Sequence, residues 1–287
     1  MKPAPLDLST RYRRIVVISP HLDDAALSLG ATIAHAARAG ARVTVLTPLS
    51  GEVDSDDPPG RWDRDCGWSS AGDAARGRRQ EDVAACELLG ATPEWLPFRD
   101  VDYTGGERND DVWPAIEARL AGADLVLIPG FPLDHLDHGW LSELLLERMA
   151  GDGRVALYVE QPYANVRVVG RGYRLGPLLG TARLALREPR LRRRQVPRLE
   201  ARIAPLLPDG VDWVVSVADR PDRALKRRAI EAYASQLEGL GRQVAPRIRL
   251  YERGWGGEGI GFPRTPSAGL PSGAGAAAGS AGSRSGS

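Results

Sequence analysis

Short, β-branched apolar runs alternate with longer segments of helical periodicity along this chain, and that alternation constrains its fold more than any other feature. Ile15–Ser19 reads Ile-Val-Val-Ile-Ser, which is the pattern of a buried strand. A helical pattern follows over Ala25–Ala39, and Gly40 ends it. Strands that alternate with helices favour a mostly parallel sheet with helices on both faces. We therefore predict an α/β fold of this kind.

The same alternation predicts the remaining elements. The predicted strands are Val43–Thr47, Glu94–Pro97, Leu125–Pro129, Val155–Val159, Val211–Val217 and an edge strand at Arg247–Glu252. The predicted helices are Ala74–Leu89, Val112–Leu120, Trp140–Met149 and Arg223–Leu237. Asp54–Gly72 is rich in Pro, Gly and Asp, which predicts a long loop. Its two tryptophans, Trp62 and Trp68, either line a pocket or pack the loop down as a lid, and the sequence favours neither interpretation.

Residues 1–263 are predicted to form a single α/β domain, followed by a disordered tail at 264–287. From Ala268 onward the tail is nearly all Gly, Ala and Ser, and such a segment buries too little apolar surface to offset the entropy lost on ordering. Arg183–Arg202 interleaves arginines with leucines, which is typical of a solvated pair of amphipathic helices. The alternative for this stretch is a patch that binds an anionic substrate group or a membrane surface.

Composition and charge argue against several classes of function. The formal net charge of +1 gives the chain no overall attraction to nucleic acid. No apolar run reaches the ~20 residues that a membrane span needs. The two cysteines, Cys66 and Cys86, are too few for a disulfide framework, and their spacing matches no zinc pattern. A reducing cytoplasm is therefore the expected setting, whereas the oligomeric state stays unknown.

Three of the four histidines lie in two short motifs that are rich in aspartate. Ser19–Asp24 (Ser-Pro-His-Leu-Asp-Asp) directly follows the first predicted strand, and Pro132–His138 (Pro-Leu-Asp-His-Leu-Asp-His) follows the predicted strand Leu125–Pro129. The carboxyl ends of parallel strands meet at one edge of a sheet, where binding sites form, so we expect the two motifs to converge. The fourth histidine, His35, lies within a predicted helix and is interpreted as a surface or packing residue.

The residue types in these motifs are ones that zinc prefers. Catalytic zinc takes imidazole nitrogens and carboxylate oxygens from three protein ligands and keeps one position open for water, whose pKa falls to ~7. Two histidines and one aspartate would supply such a set, and the remaining carboxylate and histidine would serve as base and acid. Structural explanations also exist, since Asp23 and Asp24 are able to cap a helix and His135 and His138 to be polar loop residues. Two such motifs at equivalent strand ends favour the metal site.

These motifs resemble those of the PIG-L, or LmbE-like, de-N-acetylases. Pro20–Ala25 (Pro-His-Leu-Asp-Asp-Ala) is similar to the family's Pro/Ala-His-Pro-Asp-Asp-Glu, and His135–His138 (His-Leu-Asp-His) matches its His-x-Asp-His. Weaker matches are Arg78–Glu81 (Arg-Arg-Gln-Glu), Leu89–Gly90 and Ser235–Gln236. The similarity runs from about Arg14 to Gln236.

The resemblance implies a Rossmann-like fold and a hydrolase that uses zinc to remove an acyl group, usually acetyl, from the nitrogen of a small-molecule amino sugar or glycoconjugate. It implies His21, Asp24 and His138 as the metal ligands. Zinc is the expected ion, although the same ligands accept iron, cobalt or nickel.

The resemblance also implies roles for the residues around the metal. Asp23 is expected to be the general base that takes the proton of the zinc-bound water. His135 is expected to act as an acid or to help stabilise the tetrahedral oxyanion, and Asp137 to hold a neighbouring histidine in its useful tautomer. Arg78 and Asp100 are the candidate contacts to sugar hydroxyl groups.

Two departures from the family pattern set this chain apart. Leu22 replaces the family's proline and Ala25 its glutamate. Neither change removes an inferred ligand or the base, so hydrolysis is still expected. The alternatives are an amidase that cleaves a larger amide conjugate, a non-catalytic homologue that acts as a binding partner, and a nucleotide-binding module. The last is disfavoured because the first strand-to-helix turn lacks a Gly-x-Gly-x-x-Gly run, and its two aspartates would repel a pyrophosphate.

Overall fold

The computed structural model describes residues 5–164, 197–241 and 244–264. The strands are β1 (Pro5–Leu6), β2 (Arg14–Ile18), β3 (Arg42–Thr47), β4 (Thr92–Trp95), β5 (Leu125–Phe131), β6 (Val155–Val159), β7 (Val211–Ser216) and β8 (Gly259–Pro263). The α-helices are α1 (Asp24–Arg38), α2 (Arg61–Asp65), α3 (Ala71–Leu89), α4 (Val101–Thr104), α5 (Val112–Glu117), α6 (Leu136–Arg148), α7 (Arg220–Ala232), α8 (Ala234–Leu240) and α9 (Val244–Trp255). The predicted tail beyond residue 264 and most of the arginine-rich stretch at 183–202 lie outside the described residues.

The described strands form one sheet in the order β1-β7-β8-β6-β5-β2-β3-β4. All neighbours are parallel except β8, which runs antiparallel to β6 and β7. In β2, Ile15 pairs with Val43 of β3 on one side and with Leu125 of β5 on the other. The chain thus leaves β2 towards one edge of the sheet and later continues on the other side. This reversal makes the β2–β5 boundary a topological switch point, where α/β sheets place their binding sites.

Helices cover both faces of the sheet, which confirms the predicted mostly parallel α/β architecture. Side chains alternate along β2, as they do along any strand. Ile15 and Val17 belong to a core cluster that includes residues of α1, α3 and α7. Val16 and Ile18 belong to a second cluster, on the other face, that includes residues of α5 and α6. The end of β2 is therefore held between two cores, and the motif that follows it starts from a fixed position.

One predicted strand is wrong. The first four residues of Arg247–Glu252 alternate between arginine and an apolar residue, as in a half-buried strand, but the segment lies within α9. The buried residues of this helix recur every three or four positions, which is the helical period: Val244, Ile248, Tyr251 and Trp255. The final strand is instead β8, and it lies inside the sheet rather than at an edge.

Several predicted boundaries also shift. Strand β4 begins and ends two residues before the predicted Glu94–Pro97. The predicted helix Arg223–Leu237 is two helices, α7 and α8, which meet at Tyr233. The predicted loop Asp54–Gly72 contains α2, and α3 begins before the loop was expected to end. Within the described ranges, no helix has both the length and the apolar character that crossing a membrane requires.

Candidate active site

The first motif forms a tight turn between β2 and α1, closed by hydrogen bonds within the motif. Ser19 Oγ donates to the His21 carbonyl at 2.7 Å and accepts from Ala25 N at 2.9 Å. Asp24 Oδ2 accepts from His21 N at 2.9 Å. Asp23 has a φ of 127° and makes no side-chain capping hydrogen bond. Such a backbone conformation costs about 1–3 kcal/mol and is typical of functional sites, so the capping explanation fails for Asp23.

The second motif lies at the start of α6, at the same edge of the sheet. His135 immediately precedes the helix, and its Nδ1 accepts a hydrogen bond from Asp137 N at 3.3 Å. Asp137 and His138 are fully buried, whereas the side chain of His135 is 32% exposed. The ring centroids of His21, His135 and His138 lie 4.8 to 5.1 Å apart. The two motifs therefore meet across the β2–β5 boundary.

Three donor atoms from the two motifs form a small, nearly equilateral triangle. His138 Nε2 lies 3.2 Å from His21 Nδ1 and 3.2 Å from Asp24 Oδ2. The third side, from His21 Nδ1 to Asp24 Oδ2, is 3.4 Å. A tetrahedral zinc ion, about 2.0–2.1 Å from each donor, holds its ligand atoms about 3.3 Å apart. The three histidines also present nitrogens within 4.8 Å of one another, but that set is looser, so the triangle that includes Asp24 fits a metal better.

In each histidine of the triangle, the ring nitrogen that is not part of the triangle contacts a buried carboxylate. His21 Nε2 lies 3.1 Å from Asp137 Oδ2, and His138 Nδ1 contacts Glu160 Oε2. A carboxylate at one ring nitrogen keeps the proton there and leaves the lone pair of the other nitrogen for a metal. Both of those other nitrogens, His21 Nδ1 and His138 Nε2, are corners of the triangle.

Burial and neighbouring charges shift the pKa values of these groups in opposite directions. Burial, followed by the charge of Asp24, raises the pKa of Asp23 to about 8. Burial lowers the pKa of His21, but hydrogen bonds that its ring donates to Asp137 and Asp24 outweigh this effect and raise that pKa to about 9. Burial, followed by the charges of the other two site histidines, lowers the pKa of His135 to about 4. Titratable groups whose pKa values are pushed apart in this way are typical of acid–base sites.

Arg78 and Asp100, the predicted sugar contacts, line one cleft beside the triangle. The polar wall of this cleft also includes Ser50, Glu52, Asp63 and Tyr103. Arg78 is 8% exposed, and its Nη1 donates to Asp63 Oδ1 at 3.1 Å. Its Nε is buried with no hydrogen-bond partner in the described part of the chain. Asp100 Oδ1 accepts from Asp102 N at 2.9 Å and so caps α4.

The two tryptophans of the long loop pack the loop down and do not line this cleft. Trp62 Nε1 donates to Gln236 Oε1 at 2.8 Å. Its ring covers Gly239, where an added Cβ would lie 2.6 Å from the indole. Trp68 covers Gly77 in the same way. Of the two interpretations left open by the sequence, the structure favours the packed lid.

Among the residues at or beside the site that the sequence analysis missed are Asp63, Arg108 and Glu160. Arg108 Nη1 donates to Asp137 Oδ1 at 2.5 Å, and its guanidinium lies 4.6 Å from the ring centre of Trp140. Glu160 directly follows β6, so its place after a strand was a usable signal. No local pattern marks Asp63 or Arg108, because each reaches the site through a contact distant in sequence.

The other candidate residues do not belong to the triangle of donor atoms. His35 is partly buried, and its Nδ1 lies 2.9 Å from Asp222 Oδ2 on α7. Cys66 and Cys86 are free thiols, and neither joins a group of metal-binding residues among the described residues.

Residues 16–149, which hold both motifs, match the PIG-L family, described as GlcNAc-PI de-N-acetylase. The matched segment includes both motifs and the strand ends that carry them, so this part of the chain is similar to deacetylases of the PIG-L type.

Individual relatives are also deacetylases. The chain is 29% identical over 175 residues to the 2'-N-acetylparomamine deacetylase of Streptomyces fradiae, a match that covers 55% of this chain and 60% of that relative. Among solved structures, it is similar to the A40926 pseudoaglycone deacetylase, with 28% identity and a TM-score of 0.64 over 88% of this chain and 96% of that one. A deacetylase of the teicoplanin biosynthesis pathway shows 25% identity and a TM-score of 0.64 over 86% and 96%.

Proposed function

We propose that this chain is a metal-dependent hydrolase that removes an N-acyl group, in most cases acetyl, from an amino-sugar-containing substrate. The observation that carries the proposal is the triangle of His21 Nδ1, Asp24 Oδ2 and His138 Nε2, with Asp23 beside it. The named relatives deacetylate an N-acetylated paromamine or act on antibiotic scaffolds. They support the cleavage of an amide on a sugar nitrogen.

The donor atoms of the triangle fit a zinc ion. Two imidazole nitrogens and one carboxylate oxygen are zinc ligands, and a catalytic site with three protein ligands keeps a fourth position open. Sides of 3.2 to 3.4 Å match tetrahedral geometry. When bound, the ion supplies a Lewis acid that polarises the amide carbonyl and lowers the pKa of water. Iron, cobalt and nickel accept the same ligands, so zinc is the proposed rather than the established ion.

Asp23 is the proposed general base. It is buried, it follows the proposed ligand His21 closely in the same turn, and its carboxylate makes no hydrogen bond that caps α1. In this role it accepts a proton from the attacking water and passes it to the departing amine nitrogen. General-base catalysis of this kind contributes about 100- to 10,000-fold to rate.

His135 is the proposed donor to the oxyanion that develops on the amide oxygen. Its Nδ1 accepts from Asp137 N, so in the neutral ring the proton lies on Nε2. Burial lowers the pKa of His135, which favours that neutral form. A neutral imidazole that donates from Nε2 stabilises developing negative charge without a proton transfer. The structure thus favours the second of the two roles expected for His135.

Arg78 and Asp100 are proposed to hold the sugar. The guanidinium of Arg78 has five N–H donors, of which one serves Asp63 and Nε has no partner among the described residues. Arg78 lines the cleft, where its guanidinium offers N–H donors to a sugar hydroxyl or acetamide oxygen. Asp100 lines the same cleft and offers carboxylate oxygens to hydroxyl groups.

The test is release of acetate by the zinc-loaded protein from a panel of N-acetylated amino sugars, including 2'-N-acetylparomamine, beside bulkier N-acyl conjugates. Asp23→Asn is the diagnostic variant, since it keeps the ligands and removes the base. We expect wild-type turnover on at least one amino sugar, and a loss of about 100- to 10,000-fold in the variant at unchanged zinc content.

Each alternative gives a different result in this experiment. Turnover on bulky amides alone would identify an amidase of larger conjugates. Zinc binding without turnover on any compound would favour the non-catalytic homologue. Full activity of Asp23→Asn would show that another group is the base.

A further inference from the structure

Glu160 is a buried carboxylate whose two oxygens both have partners at the edge of the metal site. It is 1% exposed, and a charged group so buried is destabilising unless it is paired and hydrogen-bonded. Its Oε2 contacts His138 Nδ1, and its Oε1 accepts from Leu133 N at 3.0 Å. One carboxylate therefore joins a proposed metal ligand to the loop that leads to it.

The irregular pairing of β5 and β6 brings Glu160 to this position. Pro129 pairs with Tyr158 and Phe131 with Val159, so the extra residue between them forms a β-bulge. The bulged residue is Gly130, where an added Cβ would lie 2.5 Å from a side-chain atom of β6. The bulge is thus a position that only glycine fills without displacing its neighbours.

Beyond the bulge, the loop that leads to α6 is bonded to Glu160 at two points. Glu160 N donates to the Phe131 carbonyl at 2.6 Å, and its side chain accepts from Leu133 N. Leu133 has a φ of 52°, a left-handed conformation that residues other than glycine seldom adopt. The hydrogen bond from Leu133 N to Glu160 helps to hold that conformation.

The contact with His138 decides which ring nitrogen faces the metal position. When Nδ1 carries the proton and donates it to Glu160, Nε2 keeps its lone pair. Nε2 is the atom that lies 3.2 Å from both His21 Nδ1 and Asp24 Oδ2. Carboxylates in this outer position orient metal-binding histidines and increase their basicity, and their loss weakens metal binding about 10- to 100-fold.

We propose that Glu160 is a positioning residue that holds His138 in its metal-binding tautomer and orientation, and that the same carboxylate holds the loop between β5 and α6 in its metal-binding conformation. This inference rests on the proposed metal site.

The test is the zinc affinity of Glu160→Gln, measured by competition with a chromogenic chelator in protein shown to be folded by circular dichroism. The substitution keeps the side-chain shape but replaces one acceptor oxygen with an NH₂ donor, so Leu133 N and His138 Nδ1 are no longer both satisfied. Glu258→Gln is the matched control, because Glu258 is also buried, at 5% exposure, and accepts from backbone N–H groups away from the triangle. We expect Glu160→Gln to weaken zinc binding about 10- to 100-fold, and the control to bind zinc as wild type does.

The outcomes separate this inference from the proposed function. Equal zinc affinity in Glu160→Gln and wild type would overturn the positioning role and leave the metal site standing. Absence of zinc binding by wild type would overturn both. Should Glu160→Gln fail to fold, Glu160→Asp replaces it, because this variant keeps the charge but is too short to reach both partners. The same loss of affinity is expected, and wild-type affinity would again contradict the inference.

Discussion

Two buried clusters of charged side chains lie on different parts of this molecule, and they differ in where their atoms point. The first, the metal-site cluster, consists of His21, Asp24 and His138 with the carboxylates behind them. The second, the Lys226 cluster, consists of Lys226, Glu252 and Glu258. Lys226 and Glu258 are 4% and 5% exposed. By burial and charge alone, the two clusters are hard to tell apart.

The charged groups of the Lys226 cluster find their hydrogen-bond partners within the cluster and in the neighbouring backbone. The Lys226 ammonium donates to Glu258 Oε1 at 2.6 Å and contacts Glu252 Oε1. Glu258 also accepts from Ala31 N at 3.0 Å and from Thr32 N at 2.7 Å, which ties α7 and the segment before β8 to α1. Its charged groups are bonded to one another and to backbone N–H groups, so it needs no ligand and is interpreted as structural.

The metal-site cluster differs, because two ring nitrogens and one carboxylate oxygen converge on one point. His21 Nδ1 and His138 Nε2 face each other at 3.2 Å, and Asp24 Oδ2 is close to both. Were both histidines charged, the two cations would repel each other at this distance, while a single metal ion would satisfy all three atoms at once. The comparison teaches that convergence of donor atoms on one point, and not burial of charge, distinguishes the proposed metal site from the Lys226 cluster.

The largest effect expected from this comparison is that of His138→Ala. Removal of a proposed ligand should weaken zinc binding by more than the ~10- to 100-fold that loss of an outer partner costs, and activity should fall with it. Elemental analysis and chelator competition measure the metal. His35→Ala is the matched control, because His35 is bonded to Asp222 instead. Wild-type zinc content in His138→Ala would show that the ligand set is wrong.

The second prediction tests whether the Lys226 cluster is purely structural. Lys226→Met leaves two buried carboxylates without their cation, and breaking a buried ion pair in this way costs about 3–5 kcal/mol in the free energy of unfolding. Urea denaturation measures the loss, and Arg228→Met, an exposed position on the same helix, should change stability by less than about 0.5 kcal/mol. Zinc affinity of folded Lys226→Met should equal that of wild type. A drop in affinity would mean that the two clusters are coupled.

The smallest effect concerns pH. Burial, together with the charge of Glu258, raises the pKa of Glu252 to about 7. The charge of Lys226 lowers that pKa but offsets only part of the rise. Arg223 is the other charged group that acts on it. A carboxyl whose pKa is raised on folding contributes stability that is full below its unfolded pKa and is lost as pH rises through the folded pKa. Between pH 5 and 8, wild type should therefore lose on the order of 1–3 kcal/mol of stability relative to Glu252→Gln.

Urea denaturation of both proteins at several pH values between 5 and 8 measures this difference. Curves of stability against pH that run parallel for wild type and Glu252→Gln would show that the carboxyl titrates in its ordinary range in the folded chain.

Local patterns were enough to predict the scaffold. The strand at Ile15–Ser19 and the helix after it could be predicted because the periods of strands and helices depend on the order of neighbouring residues. The same rule failed at Arg247–Glu252, where a two-residue alternation and a helical stripe overlap. Packing of Val244, Ile248 and Trp255 against the rest of the chain decided for the helix.

The residues of the candidate site also fall into those that local sequence patterns predict and those that only the folded chain brings together. The sequence by itself determined that His21, Asp24 and His138 lie at the ends of parallel strands, since position after a strand is a local property. Only the tertiary structure decided which carboxylates contact the outer ring nitrogens of the two histidines. Glu160 reaches His138 through the bulged register of β5 and β6. Hydrogen bonds and ion pairs between residues far apart in the chain need donor–acceptor distances of about 3 Å, and those distances are set only once the sheet and its loops have folded.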